Sequence, residues 1–380
     1  PVKIAFDISQ IVYGTGASRY IRQLVEHLVK IDNKNQYILF GASLRQTSKF
    51  KEFEKDLEKY PNVQFKIVKL PPSLLEILWN RLHIVPIEKF IGEVDIFHSS
   101  DWLEPPVKSP STKKVTIIHD MIVYLFPSAL PKKIVTNQKN KLKWVKKESD
   151  LIFTNSQTSR QDVIKFLGIS PEKVKVISCA AAPCFSPQSE EVIIKVLEKY
   201  NIKKPYILSV GTQEPRKNIS LLLEVFEKIF QDRPKASLVL TGKYGWGKQI
   251  NTGTKVISTG FVSEAELAAL YSGSRVFVYP SLYEGFGLPI LEAMACGVPV
   301  VTSNNSSMQE IAKDAAILVD PRNKVQLEKA LKFVLDLNLD NYQKMVRASL
   351  DRARKYSWSK TAKETLQVFG EITKSNPEME

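Results

Sequence analysis

Two successive series of short apolar runs, each run divided from the next by other sequence, predict an α/β protein built from two Rossmann-like domains. Three observations carry this class. The runs are continuously rich in Val, Ile and Leu instead of alternating with polar residues, as strands buried on both faces of a parallel sheet must be. Amphipathic segments of helical length, such as "SRYIRQLVEHLVKI" and "ISLLLEVFEKIFQD", separate many of them. The 380 residues are too many for one ordinary core and comfortable for two.

In the first half, "VKIAFDIS", "QYILFGA", "VQFKIVKL", "DIFHSS", "KVTIIHD", "LIFTNS" and "VKVIS" read as strands. In the second, "YILSVG", "ASLVLTG", "KVISTGF", "RVFVYPS", "PVVTSN" and "AILVD" do so. The small, Pro-containing "AAAPCFSPQSE" (180–190) follows the last strand of the first series and reads as the connection. The first domain is expected over 1–182 and the second over 183–356. "RKYSWSKTAKETLQVFGEITK" reads as a last helix after a Ser-containing break, expected over 357–374, and "SNPEME" as a loose tail. No repeat and no low-complexity tract interrupts this order.

Composition narrows the function classes. Hydrophobic residues make up 43% and charged residues 25%, as in a soluble globular protein. No stretch approaches the roughly 20 apolar residues of a membrane span. "PVKIAFDIS" reads as a first strand and not as a signal peptide. Cys179, Cys184 and Cys296 suggest neither a disulfide framework nor a metal cluster, which favours a reducing cytoplasm.

The net charge is +14, from 54 Lys/Arg against 40 Asp/Glu. Residues 1–190 hold 28 against 19 and the remainder 26 against 21, so the surplus leans towards the first half. Its densest stretch is "KKIVTNQKNKLKWVKKESD" (132–150). A solvated helix face accounts for that stretch, and so does contact with an anionic membrane surface or a polyanionic ligand. Nucleic acid is not expected: no zinc-finger spacing, RNA-binding aromatic signature or arginine-rich tail accompanies the charge. "SLLEILWNRLHIVPIEKF" reads first as a core-facing amphipathic helix and second as a membrane contact.

Ligands of open parallel sheets sit beyond the carboxyl ends of the strands, so the residues after each strand are the candidates. After the first strand, Gly14 and Gly16 precede a helix and suit either an ordinary turn or the close approach of a phosphate or sugar. After "KVTII" come His119 and Asp120, the first a candidate site residue and the second a turn cap. After "DLIF" come Thr154, Asn155 and Ser156, with Ser159 expected to cap the following helix. After "YILSV" comes Gly211, then Arg216 and Lys217 just before a helix starting near Ile219. A helix N-terminus favours anions, so two cations there conflict with it unless a bound diphosphate satisfies both. After "ASLVL", Lys243 and Lys248 lie in a Gly-rich loop that reads equally as phosphate contact or plain turn.

"SLYEGFGLPILEAMACGVPVV" (281–301) is the most informative stretch. "LYEGFG" is a loop, because two glycines within three residues disfavour helix. Leu288 to Ala295 is the expected helix, with Pro289 in its tolerated first turn and Gly297 ending it. Glu284 then lies on the loop and Glu292 about 6 Å along the helix, with Gly287 near a phosphate-accepting N-terminus. Two carboxylates placed this way meet different parts of one extended ligand with hydroxyl groups, as in a nucleotide sugar.

With "EGFGLPILEAMACGVPVV" in its Gly/Pro setting after a buried strand, the chain resembles the retaining glycosyltransferases of family 4, which have the GT-B fold of two facing Rossmann-like domains. The resemblance extends over nearly the whole chain. "GTQEPRKN", "LTGKYGWG", "TIIHD" and the closing "YSW" support it, and the first two look most like the mannosyltransferase branch. The resemblance implies that the last helix crosses back onto the N-terminal domain. It also implies that Lys217, helped by Arg216, holds a donor diphosphate, and that Glu292 binds the nucleotide ribose. Glu284 would bind hydroxyls of the transferred sugar, with Gly285, Phe286, Gly287 and Leu288 beside it. His119 would sit against the donor sugar, and Gly14, Gly16 and Gly211 near the donor. Some members carry Arg where this chain has Thr212, which leaves the shares of Arg216 and Lys217 open.

The expected activity is transfer of a hexose, best mannose from GDP-mannose, to an acceptor hydroxyl with retained anomeric configuration. No cofactor or metal is expected. The acceptor is expected to be a saccharide or lipid-linked saccharide, and the setting cytoplasmic, with a peripheral place at the inner face of the cytoplasmic membrane as an option. Closure of the domains is expected to bring His119 to Glu284. A donor such as UDP-glucose or UDP-N-acetylglucosamine, a nucleotide-sugar epimerase, a phosphorylase, and a non-catalytic basic binding protein are the alternatives.

Overall fold

The structure, a computed structural model, describes residues 1–243, 245 and 255–374. The chain divides into two units. One comprises Pro1–Cys179 together with the segment that begins at Trp358, and the other comprises Ala180–Ser357.

The first unit holds β1 (Lys3–Asp7), β2 (Gln36–Ala42), β3 (Val63–Val68), β4 (Ile96–Ser99), β5 (Lys113–Ile117), β6 (Leu151–Thr154) and β7 (Val174–Val176). All pair in parallel, in the order β3-β2-β1-β4-β5-β6-β7. The second unit holds β8 (Tyr206–Val210), β9 (Ser237–Thr241), β10 (Val256–Gly260), β11 (Val276–Tyr279), β12 (Val300–Ser303) and β13 (Ala316–Val319). These too are parallel, in the order β10-β9-β8-β11-β12-β13. Each of the described strands coincides with an apolar run read from the sequence, β5 starting one residue earlier, at Lys113.

Strand order reverses once in each sheet, between β1 and β4 and between β8 and β11. At such a point adjacent loops leave the sheet in opposite directions and open a crevice at the carboxyl ends. The topology therefore nominates the loops after β1 and β4 in one unit, and those after β8 and β11 in the other.

Helices flank these sheets for local reasons visible in the chain. Gly16–Ile31 starts at a capping box in which Thr15 and Ser18 satisfy each other's backbone N–H groups. It buries Tyr20, Ile21, Leu24, Val25 and Leu28, a stripe at helical spacing. The helix Trp358–Lys374 packs against it. Trp358 lies 5.9 Å from the Tyr20 ring, and Phe369 reaches Phe6 at 6.1 Å and Phe153 at 5.9 Å between centroids. Thr361 Oγ1 donates to the Ser178 carbonyl at 2.6 Å. The last helix of the chain thus completes the core of the first unit. In the second unit, Leu222, Val225 and Phe226 of the helix Ile219–Asp232 pack with Leu238, Val276 and Val301 of the sheet.

Candidate functional site

The loops after β8 and β11 meet at a buried cluster of charge. Beyond β8 the chain turns through Gly211, at φ +145°, where a Cβ would stand 3.4 Å from Lys217 Cε. Glycine there leaves room for the lysine stem. Gly242, at φ +136°, is more constrained: a Cβ would fall 2.2 Å from the Gly211 carbonyl oxygen. Residues Pro215–Lys217 form a single 3₁₀ turn, followed by Asn218 in the left-handed region at φ 59°. Asn218 Nδ2 donates to the carbonyls of Pro280 at 3.1 Å and Pro321 at 2.7 Å. The Leu282 N–H donates to the Arg216 carbonyl at 2.9 Å. These bonds lace the first loop to the ends of β11 and β13.

Glu284 lies on the loop, 8% exposed, and its Oε1 accepts from Lys217 Nζ at 2.6 Å and from Arg216 Nη1 at 2.8 Å. Arg216 also donates to the Tyr283 carbonyl at 2.8 Å and to Glu214 at 2.5 Å. Lys217 Nζ is 2.5 Å from the Tyr279 hydroxyl and 4.8 Å from the centre of that ring. Burial alone would push the Glu284 carboxyl up, but the Arg216 and Lys217 charges outweigh it and hold the group down at about 2. Burial pulls Lys217 below the usual lysine range against the upward pull of Glu284. The two cations therefore have an internal counter-charge, and their place before a helix does not by itself require a bound anion.

Gly287, at φ +97°, is the N-cap of the helix Leu288–Ala295, the span expected from the sequence. A Cβ on Gly287 would stand 3.2 Å from Ile290 Cδ1. Phe286 is buried, with its ring 6.2 Å from that of Tyr356. Gly285 is buried too, and Leu288 half-buried. Glu292 is fully buried in the helix, and its Oε2 accepts from the Tyr271 hydroxyl at 3.1 Å. The structure thus brings Gly211, Arg216, Lys217 and Glu284 together, and sets Glu292 on Tyr271.

The first unit carries the remaining candidates. Gly14, at φ +65°, ends a 3₁₀ turn over Ser9–Tyr13 that follows β1. A Cβ at Gly14 or Gly16 would meet nothing within 4 Å, so both face open space. His119 follows β5. Its Nδ1 is 2.8 Å from Asn155 Nδ2, its ring makes an edge contact with Tyr20 at 5.0 Å, and its Nε2 has no hydrogen-bond partner among the described residues. Burial pushes the imidazole below its ordinary range; Asp101 opposes that shift and buried Lys141 adds to it. An Asn155 amide donating to Nδ1 leaves the ring proton on Nε2.

Asp120 does cap the next turn, accepting from the Ile122 N–H at 3.0 Å. Ser159 is not the helix cap: Ser156 is, and Ser159 lies inside the helix Gln157–Leu167, where its hydroxyl donates to the His119 carbonyl at 2.9 Å. Competition among adjacent hydroxyls at a helix start conceals this from the sequence. Lys243 sits 5.2 Å from the Phe261 ring, and Lys248 lies outside the described residues.

Sequence reasoning missed Glu214, Asn218 and Tyr279. An Asn directly before a helix suits the left-handed conformation that Asn218 adopts, so a local signal existed for it. Nothing local marks Tyr279 as facing Lys217, since every residue of its strand is buried. Among the described residues no group of three or more His, Cys, Asp or Glu is placed to hold a metal ion.

Comparison with known proteins agrees with this architecture. Residues 189–352 match the family model of glycosyl transferases group 1, and residues 14–182 that of glycosyltransferase family 4. The chain is 31% identical over 386 residues to O-antigen chain mannosyltransferase B of Escherichia coli, spanning 97% of this chain and 99% of that protein. Its fold resembles that of sucrose-phosphate synthase from Thermosynechococcus elongatus, with a TM-score of 0.75 at 19% identity, over 99% of this chain and 100% of that one. It also resembles Anabaena HepE, solved with UDP and glucose, with a TM-score of 0.71 at 16% identity, over 98% and 100%.

Proposed function

The chain belongs to glycosyltransferase family 4, with the GT-B fold, and from that premise we propose that it transfers mannose from GDP-mannose to an acceptor hydroxyl with retention of configuration. Hexosyl transfer in glycan biosynthesis follows from the family and from the mannosyltransferase relative; the donor, the stereochemistry and the residue roles are the proposal. The observation that supports it most is the meeting of Arg216 and Lys217 at Glu284, at the point where strand order reverses.

In this reading the donor diphosphate takes over Arg216 and Lys217, and Glu284 turns part of its accepting capacity to hydroxyls of the sugar. Backbone N–H groups of Gly285–Leu288 lie beside it. Glu292 accepts a ribose hydroxyl, which must share or displace the Tyr271 donor now on its carboxylate. His119, neutral through burial, offers its Nε2–H, which has no partner among the described residues, to the donor sugar. Gly14 and Gly16 leave open space for substrate. The acceptor is a saccharide or lipid-linked saccharide, and the enzyme works peripherally at an anionic membrane surface.

In the transfer step the acceptor oxygen bonds to the anomeric carbon while the bond from that carbon to the diphosphate oxygen breaks. The electron pair leaves with the diphosphate, and the acceptor proton passes to the departing phosphate oxygen. Negative charge grows on that phosphate, so fixed cations stabilise the transition state more than the ground state. No side chain is assigned as covalent nucleophile. Arg216 and Lys217 supply the compensating charge, so activity is expected to persist in EDTA.

NMR of the product formed with soluble and lipid-linked mannoside acceptors tests the stereochemistry. An α-linked mannoside from α-configured GDP-mannose supports retention, and a β-linked one overturns it.

A further inference from the structure

His119 is held from several sides within the first unit. Ser159 Oγ donates to its carbonyl at 2.9 Å, and its N–H points to Asp101 Oδ1 at 3.4 Å. These backbone contacts fix where the side chain starts. They fix neither how the ring turns about its own bonds nor which nitrogen carries the proton. The proton falls to Asn155, buried directly after β6, whose Nδ2 lies 2.8 Å from His119 Nδ1. Among the described residues the imidazole hydrogen-bonds with nothing else. Asp101, Lys141 and His98 act on it through charge alone.

The orientation falls to Tyr20, buried in the helix Gly16–Ile31. Its ring crosses the imidazole at 82°, with 5.0 Å between centroids. Crossed rings at this separation are a favoured aromatic arrangement. The Tyr20 hydroxyl has no hydrogen-bond partner among the described residues, and burial pushes the phenol far above its ordinary range, so it carries no charge. The contact with His119 is therefore one of rings, to which the hydroxyl adds no bond. Tyr20 in turn rests on buried Trp358, with 5.9 Å between ring centroids and 59° between planes. Trp358 also lies 6.3 Å from the His27 ring. It is the first residue of the chain's last helix, which Thr361 fastens to the Ser178 carbonyl.

We propose that Asn155, Tyr20 and Trp358 are positioning residues for His119: Asn155 keeps the ring proton on Nε2, and Trp358, through Tyr20, holds the ring in the orientation that presents it. The last helix is then part of the reaction machinery as well as a cover for the core. This role rests on the transfer reading above, in which Nε2–H is offered to the donor sugar. The other tautomer presents a lone pair at that place, and a loosely held ring presents its N–H for only part of the time. Core packing alone asks less: an aliphatic side chain at position 20 fills space without setting a ring against the imidazole.

The test is nitrogen NMR of the His119 imidazole in the full chain at pH 7. Circular dichroism melting confirms that each variant folds. GDP affinity by calorimetry and transfer from GDP-mannose to a soluble mannoside are measured in parallel. The unaltered chain should carry its ring proton on Nε2. Asn155→Asp sets an accepting carboxylate against Nδ1 and should place a proton there, lowering the transfer rate about tenfold or more with GDP affinity kept. Tyr20→Leu and Trp358→Leu should also slow transfer with GDP affinity kept, but with the proton still on Nε2. Tyr20→Phe and Trp358→Phe, which keep an aromatic ring, should recover most of that loss. A proton on Nδ1 in the unaltered chain overturns the proposal. So does transfer at the unaltered rate in Asn155→Asp or in both leucine variants, or a loss that phenylalanine does not recover. If no chain transfers from any donor, the function proposed above fails, and the nitrogen that carries the proton still decides the role of Asn155.

Discussion

Lys217 Nζ stands 2.6 Å from Glu284 Oε1 and 2.5 Å from the Tyr279 hydroxyl, so one buried ammonium joins the loop after β8 to both the end of β11 and the loop beyond it. The two strands are neighbours only because strand order reverses there. The proposed chemistry depends on this junction, and most of the tests bear on it.

Removing the ammonium should remove charge compensation without stranding Glu284, which keeps Arg216. Lys217→Ala is expected to lower donor turnover by on the order of 100-fold or more. Turnover near that of the unaltered chain would sink the assigned role.

Tyr279→Phe keeps the ring under Lys217 and removes one hydrogen bond to a charged group. Such a bond contributes about 1.5–3 kcal/mol, so turnover should fall roughly tenfold or more, and the affinity for GDP should weaken. Unchanged GDP affinity by calorimetry would show that the hydroxyl does not position the ammonium.

Glu284 titrates in the folded chain at about 2, below its ordinary value of 4.5. A lowered folded value adds stability that is present above pH 4.5 and lost as pH falls towards 2. Urea midpoints of the unaltered chain and Glu284→Gln should therefore differ most above pH 4.5, with the gap narrowing as the medium is acidified towards 2. A gap independent of pH would contradict the ion pairs.

His119 is held below the ordinary histidine value of 6.5, chiefly by burial. Its ring resonance in an NMR titration should have its midpoint below that pH, so that the neutral ring predominates at pH 7. A midpoint at or above 6.5 would show that Asp101 dominates, and would remove the neutral donor from the proposed site.

The fold was legible because parallel strands buried on both faces must be continuously apolar; even short β7, Val174–Val176, stands out in "VKVIS". The span Leu288–Ala295 was legible from Gly287, Pro289 and Gly297, whose backbone preferences act locally. Which side chains meet was less so. The conflict between two cations and a helix N-terminus pointed to Arg216 and Lys217, but their present counter-charge comes from Glu284, almost 70 residues on. Tyr279 joins the cluster through tertiary contact alone, whereas Glu214 meets Arg216 from two residues away in the same loop. Sequence placed Glu292 correctly on its helix but not beneath the Tyr271 hydroxyl, because helical position does not tell what covers a side chain.

The most direct test of the central claim is a calorimetric donor panel with GDP-mannose, UDP-glucose and UDP-N-acetylglucosamine, run on the unaltered chain and on Lys217→Ala. The account predicts that GDP-mannose binds most tightly and loses most of that affinity in Lys217→Ala. Preference for a UDP-sugar, or GDP-mannose binding indifferent to Lys217, would contradict it.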